Sequence, residues 1–135
     1  MIMQNPAHLS DAGPYFPRRG EVWLINTNPV MPRDPHLPRP VIVVSTDSRN
    51  KAWDSVIVVP LSTGISNINV KFHKAIPKGE GGLDRDSYAR CDLVSNIEKL
   101  CLDNLKGPLG LKLSDKYMFD IVRGVRASIR DKPDL

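Results

Sequence analysis

The sequence predicts a mainly β domain: a small, strongly curved sheet or barrel with one helix packed on it. Three observations predict it. Short segments rich in valine and isoleucine follow one another through residues 21–94, each bounded by proline, glycine or polar turn residues. A single segment, near the C-terminus, has helical periodicity. A chain of 135 residues suits one domain with a real core.

The elements follow in order. Residues 1–18 hold three prolines and no hydrophobic period, and read as a flexible arm ahead of a single domain over 19–135. Tyr15 and Phe16 are placed to tack its end down. Strands are expected at residues 21–26 (EVWLIN), 41–45 (VIVVS), 55–61 (SVIVVPL), 69–73 (NVKFH) and 87–94 (SYARCDLV). The VIVV runs lack polar alternation, so those strands should be covered on both faces. Residues 28–40 form a proline-studded loop that excludes a regular strand, and residues 74–86 a glycine-rich one. A short helical turn fits residues 47–53. The C-terminal helix starts with Ser114 as N-cap and Asp115 in the first turn. Tyr117, Ile121, Val125 and Ile129 then recur at helical spacing, and Pro133 marks the stop. Gly124 inside it costs about 1 kcal/mol against alanine, which points to a close packing contact.

Composition excludes several classes. Hydrophobic residues make up 41% and charged residues 25%, ordinary for a soluble globular protein. No apolar run approaches the roughly 20 residues of a membrane span, and the N-terminus lacks the order of a secretory signal, so a cytoplasmic protein is expected. Cys91 and Cys101 form no metal-binding spacing and read as plain thiols, Cys91 being the better candidate for burial. The net charge of +4 favours an anionic partner.

The fifth strand carries the most chemistry. Alternation turns Ala89, Cys91 and Leu93 to one side, and Tyr88, Arg90 and Asp92 to the other. Arg90 and Asp92 then stand roughly 6–7 Å apart on the open face, able to straddle a phosphodiester. Taken alone, the pair is more simply a surface ion pair worth about 0–1 kcal/mol. Arg39 opens the second strand, where its guanidinium either grips a phosphate or reaches solvent. Ser62 and Thr63 end the third strand as hydrogen-bond donors or ordinary turn hydroxyls; no serine-hydrolase pattern surrounds them. Glu21 begins the first strand, beside Trp23. Both Trp23 and Trp53 are expected in the core more than stacked on bases. His73 and Lys71 read as a solvated edge of the fourth strand, and Arg123, Arg126 and Arg130 as a wet helix face.

Four blocks, RGEVWLINTNP (residues 19–29), RPVIVVS (39–45), VIVVPLSTG (56–64) and RCD (90–92), together resemble the Kid/PemK/MazF toxins in order and spacing. The similarity extends through the C-terminal helix. The resemblance implies an SH3-like barrel of the Kid/MazF/CcdB type with a C-terminal α-helix, working as a homodimer. It implies an endoribonuclease that cleaves single-stranded RNA at short specific sequences, without metal or cofactor. The 2′-hydroxyl would attack phosphorus, leaving 2′,3′-cyclic phosphate and 5′-hydroxyl ends. By matched position, Asp92 is the general base, Arg90 its partner at the leaving oxygen, and Arg39 the stabiliser of phosphate charge. Ser62 matches a site threonine and Glu21 an acidic site residue, with Thr63 beside Ser62 as a further substrate contact.

Two departures stand out. Pro32, Arg33 and Asp34 replace a Gly-(His/Ser)-Glu stretch, so Arg33 supplies a cation where the family has a histidine. Leu93 replaces a glutamine, and base preference is expected to differ. The resemblance further implies an antitoxin whose disordered acidic segment folds into the toxin's groove. Two competing readings are a CcdB-like gyrase inhibitor on the same architecture and a degenerate member that binds RNA without cutting it.

Overall fold

A computed structural model describes residues 15–29 and 32–129. Strands β1 (Val22–Ile25), β2 (Arg39–Val43) and β3 (Ser55–Ser62) form an antiparallel meander, with Val22 opposite Ile42 and Ile42 opposite Val59. Their valines and isoleucines suit a pleated, doubly covered surface. A short helix, α1 (Asp47–Ala52), joins β2 to β3. Strand β3 is shared. Its first half pairs with β6 (Ser95–Glu98) and its last residues with β5 (Ser87–Arg90), which pairs in turn with β4 (His73–Ile76).

The sheet closes after β6. Leu102 bridges Ile25, the Asn26 N–H donates to Cys101 O at 3.0 Å, and the Asp103 N–H donates to Leu24 O at 2.8 Å. The ring β1–β2–β3–β6 thereby returns to β1, a small barrel without an open edge there. Inside it Trp23, Ile25, Val41, Val43, Val56, Val58, Ile97, Cys101 and Leu102 make one core. On the other face Val22, Ile42, Val59, Leu61, Ala89 and Cys91 pack under the C-terminal helix α2 (Asp115–Ser128) through Met118 and Ile121. Both faces of the VIVV strands are covered, as their unbroken apolar runs require.

Gly124 lets α2 come close. A Cβ there would lie 2.6 Å from Cys91 Sγ and 2.9 Å from Cys91 Cβ, inside any real contact distance. Burial pushes the Cys91 thiol up to about 12, with nearby Lys74 only partly opposing it. Ser114 holds the N-cap position, yet its hydroxyl makes no cap: its N–H and Oγ–H both donate to Glu80 Oε1, at 3.0 and 3.2 Å. The helix buries Met118, Ile121 and Gly124, flanked by half-buried Tyr117 and Val125; Ile129, expected on the same stripe, lies past the last turn and is exposed. Arg130 and Pro133 lie outside the described residues.

Other expectations are corrected. The fourth strand starts at His73; residues 69–72 form a turn in which the Phe72 and His73 N–H groups donate to Asn69 O. The fifth strand ends at Arg90, and Cys91–Leu93 curls into a 3₁₀ turn because β3 there exchanges β5 for β6, a strand not anticipated. Trp53 is exposed beneath the Arg49 guanidinium rather than in the core. Of the expected arm, residues 1–14 lie outside the described residues, whereas Tyr15 is held in place: its ring stacks on Trp23 at 5.8 Å and its hydroxyl donates to Glu21 Oε1 at 2.8 Å. Burial, then the Glu21 charge and hydrogen bond, push the Tyr15 phenol above the usual tyrosine range. Among the described residues no helix is long and apolar enough to cross a membrane.

Candidate nucleic-acid interface

The barrel's inner face turns polar where β3 leaves β6 for β5. Side chains directly opposite in an antiparallel pair project to the same side. Ser62 lies opposite Tyr88, and His73 opposite Arg90; extending the Val41–Pro60 register sets Arg39 against Ser62. Arg39, Ser62, Tyr88, Arg90 and His73 therefore share one face of the sheet. Two separate clefts border these residues. The larger, of about 400 Å³, is lined by Arg39, Ser62, Thr63 and Gly64 together with His36, Asp84 and Arg85. The smaller, of about 230 Å³, is lined by Asp92–Ser95 together with Ile25, Val41, Val58 and Pro60.

Arg39 is held rather than loose. Its Nε and Nη2 donate to Asp34 Oδ2 and Oδ1 at 2.5 and 2.9 Å, and its Nη1 donates to Leu61 O at 3.0 Å. A guanidinium has five N–H donors, so two remain for a ligand. The Asp34 side chain is only 1% exposed. The Arg39 hydrogen bond, joined by the His36 N–H and the Arg39 charge, outweighs burial and holds its carboxyl at about 2. A buried carboxylate thus fixes the direction of the arginine that faces the cleft.

Asp92 stands on the 3₁₀ turn beyond β5, yet the turn returns its carboxylate to Arg90. The Arg90 Nε donates to Asp92 Oδ1 at 3.3 Å and Nη2 to Oδ2 at 3.2 Å. His73 Nε2 also faces Asp92 Oδ1, at 3.5 Å. Partial burial pushes the Asp92 carboxyl up, but the Arg90 hydrogen bond and charge, with a backbone donor, outweigh it and leave it below the usual aspartate range. At neutral pH Asp92 is an ionised carboxylate gripped by a cation.

The sequence-predicted residues fall into three groups. Arg39, Ser62 and Thr63 line the larger cleft. Arg90 and Asp92 form an ion pair on the same side of the sheet, with Asp92 lining the smaller cleft, so the two groups border separate clefts rather than a single cavity. Glu21 and Arg33 join neither group. Glu21 is buried, its Oε1 accepting from the Tyr15 hydroxyl, the Arg18 N–H at 2.8 Å and Trp23 Nε1 at 3.0 Å, which leaves it serving the fold. Arg33 is exposed on the proline loop. Asp34 and His73 were not among the expected site residues, and His73, read as a solvated strand edge, is buried. An acidic residue flanked by prolines carries no periodic signal, and His73 was assigned to a strand placed four residues too early.

Residues 18–129 match the PemK-like, MazF-like toxins of type II toxin–antitoxin systems. The endoribonuclease MazF of Staphylococcus epidermidis is 32% identical over 112 residues, covering 83% of this chain and 90% of that protein. Its counterpart from Staphylococcus saprophyticus is 30% identical over the same shares. Among solved structures, an endoribonuclease in complex with its cognate antitoxin from a mycobacterial species superposes with a TM-score of 0.65 at 22% identity, over 85% of this chain and 96% of that one. A MazE–MazF complex from Deinococcus radiodurans gives 0.61 at 13% identity, over 86% and 98%. With the matched segment spanning the whole described domain, this chain belongs to the PemK-like, MazF-like toxin family of type II toxin–antitoxin systems.

Proposed function

We propose that this chain, the toxin of a toxin–antitoxin pair, is an endoribonuclease that cuts single-stranded RNA by intramolecular transesterification. Residues 19–135 act as one domain, in the cytoplasm and as a homodimer. The observation that carries the chemistry is the Arg90–Asp92 pair, on the same side of the sheet as Arg39 and Ser62.

Asp92 takes the proton from the 2′-hydroxyl, and the freed oxygen attacks the adjacent phosphorus. The bond from phosphorus to the 5′-oxygen breaks, leaving a 2′,3′-cyclic phosphate, while the departing oxygen gains a proton from water to become a 5′-hydroxyl. General-base help of this kind contributes about 10²–10⁴-fold. A carboxylate held low by Arg90 is a weak base. Binding of the phosphate draws the Arg90 guanidinium toward the new anion and restores basicity to Asp92 as the reaction starts. Arg90 stays charged throughout, so it and the two remaining donors of Arg39 act by stabilising the phosphorane. Ser62 and Thr63 supply neutral donors beside it. Because the nucleophile is part of the substrate, the scheme needs no metal, and DNA is excluded.

The net charge of +4 suits a second anionic partner, an antitoxin with a disordered acidic segment that covers the RNA site. That a mycobacterial neighbour is solved with its cognate antitoxin supports this reading. The test is cleavage of a long single-stranded RNA in EDTA with end mapping. Discrete cuts bearing 5′-hydroxyl ends, abolished in Asp92→Ala and much reduced in Arg90→Ala, are expected. Intact RNA, or undiminished cutting by Asp92→Ala, overturns the assignment.

A further inference from the structure

We propose that His73 is a positioning residue that keeps the Asp92 carboxylate aimed when Arg90 lets go of it; the inference rests on Asp92 being the base. The imidazole is buried, its side chain 8% exposed, so it cannot swing into solvent. Its Nδ1 accepts the Asn69 N–H at 3.0 Å. An accepting Nδ1 places the proton of the neutral ring on Nε2, and Nε2 is the atom that faces Asp92 Oδ1 at 3.5 Å. That separation is just beyond a good hydrogen bond, and such contacts tighten when substrate is bound.

The surroundings hold the ring at both ends. The Asn69 carbonyl accepts the Phe72 and His73 N–H groups at 3.0 and 2.8 Å, and Asn69 Oδ1 accepts the Lys71 N–H at 3.0 Å, so the donor facing Nδ1 belongs to a closed turn. The Cys91 N–H donates to Phe72 O at 2.9 Å, tying the turn that bears Asp92 to the same segment. Opposite Arg90 in the β4–β5 register, His73 faces the same Oδ1 that accepts from Arg90 Nε at 3.3 Å, and so stands ready to keep that oxygen when the guanidinium leaves it. Once the scissile phosphate competes for Arg90, Oδ1 stays with Nε2–H, and Oδ2 is left as the basic oxygen for the 2′-hydroxyl. Partners of this outer kind typically change activity about 10–100-fold at metal sites, and the same range is expected here.

Two variants divide the ring's tasks. His73→Asn keeps an acceptor near Nδ1 and loses the donor to Asp92; His73→Gln keeps a donor near Nε2 and loses the anchor. In single-turnover cleavage of RNA by the full chain, His73→Asn is expected to lose about 10–100-fold in rate with KM within about twofold. His73→Gln is expected to recover most of that rate. Imidazole ¹⁵N shifts of the unmutated protein provide a readout independent of any folding defect: a protonated Nε2 and bare Nδ1, with the Nε2 signal moving in Asp92→Ala. A wild-type rate in His73→Asn alongside dead Asp92→Ala, equal loss in both His73 variants, or a proton on Nδ1 overturns the positioning role. Full activity in Asp92→Ala instead removes the base assignment itself, a distinguishable failure.

Discussion

The Asp34 carboxylate clasps the Arg39 guanidinium in a two-pronged pair, Nε to Oδ2 at 2.5 Å and Nη2 to Oδ1 at 2.9 Å, with the carboxylate almost wholly shielded from water. Removing one member of a buried pair strands the other, which costs about 3–5 kcal/mol. The Arg90–Asp92 pair is about 30% exposed on each side, where such pairs contribute roughly 0–1 kcal/mol. Urea melts should therefore show Arg39→Ala strongly destabilised and Arg90→Ala near the unmutated protein, although both lose RNA cleavage.

The same pair makes stability fall in acid. Asp34 titrates at about 2 in the folded chain and near the ordinary aspartate value of about 3.9 when unfolded. Its contribution is complete above the unfolded value and lost as pH falls from about 4 through 2, amounting to on the order of 2 kcal/mol. Melts at pH 7, 4 and 2 should show this step in the unmutated protein and its absence in Asp34→Asn, which is less stable at pH 7.

Gly124→Ala sets a helix-propensity gain of about 1 kcal/mol against a methyl driven into Cys91. Overpacking of this kind costs about 1–3 kcal/mol, and here the obstacle includes the Cys91 Cβ as well as the sulfur. A net loss of stability is expected. In a Cys91→Ala background the loss should shrink, because the nearest atom is gone; a double-mutant cycle by thermal melting measures the coupling.

Glu21→Ala tests whether this acidic residue serves fold or substrate. Its loss removes an acceptor shared by the Tyr15 hydroxyl, the Arg18 N–H and the Trp23 indole N–H, which costs roughly 2–4 kcal/mol. Cleavage kinetics at a temperature where the variant remains folded should match the unmutated protein. A selective rise in KM would return Glu21 to the RNA interface.

Local sequence patterns determine part of this fold, and contacts distant in the chain determine the rest. The valine- and isoleucine-rich runs specify the first three strands and their double coverage, and helical spacing specifies α2, because these patterns repeat locally along the chain. Gly124 announced its close contact, since a glycine within a helix has a cost that packing must offset. Arg39, Ser62, Arg90 and Asp92 stood out as residue types, but only the family resemblance gave them site roles. What lay beyond reach depends on partners distant in the chain: β5 ends at Arg90 because β3 passes from β5 to β6, and the barrel closes through Leu102 on Ile25. That exchange curls Cys91–Leu93 and presents Asp92 to His73, while the folded proline loop sets Asp34 beneath Arg39. Local periodicity reports which way a side chain faces; only the closed sheet decides what it faces.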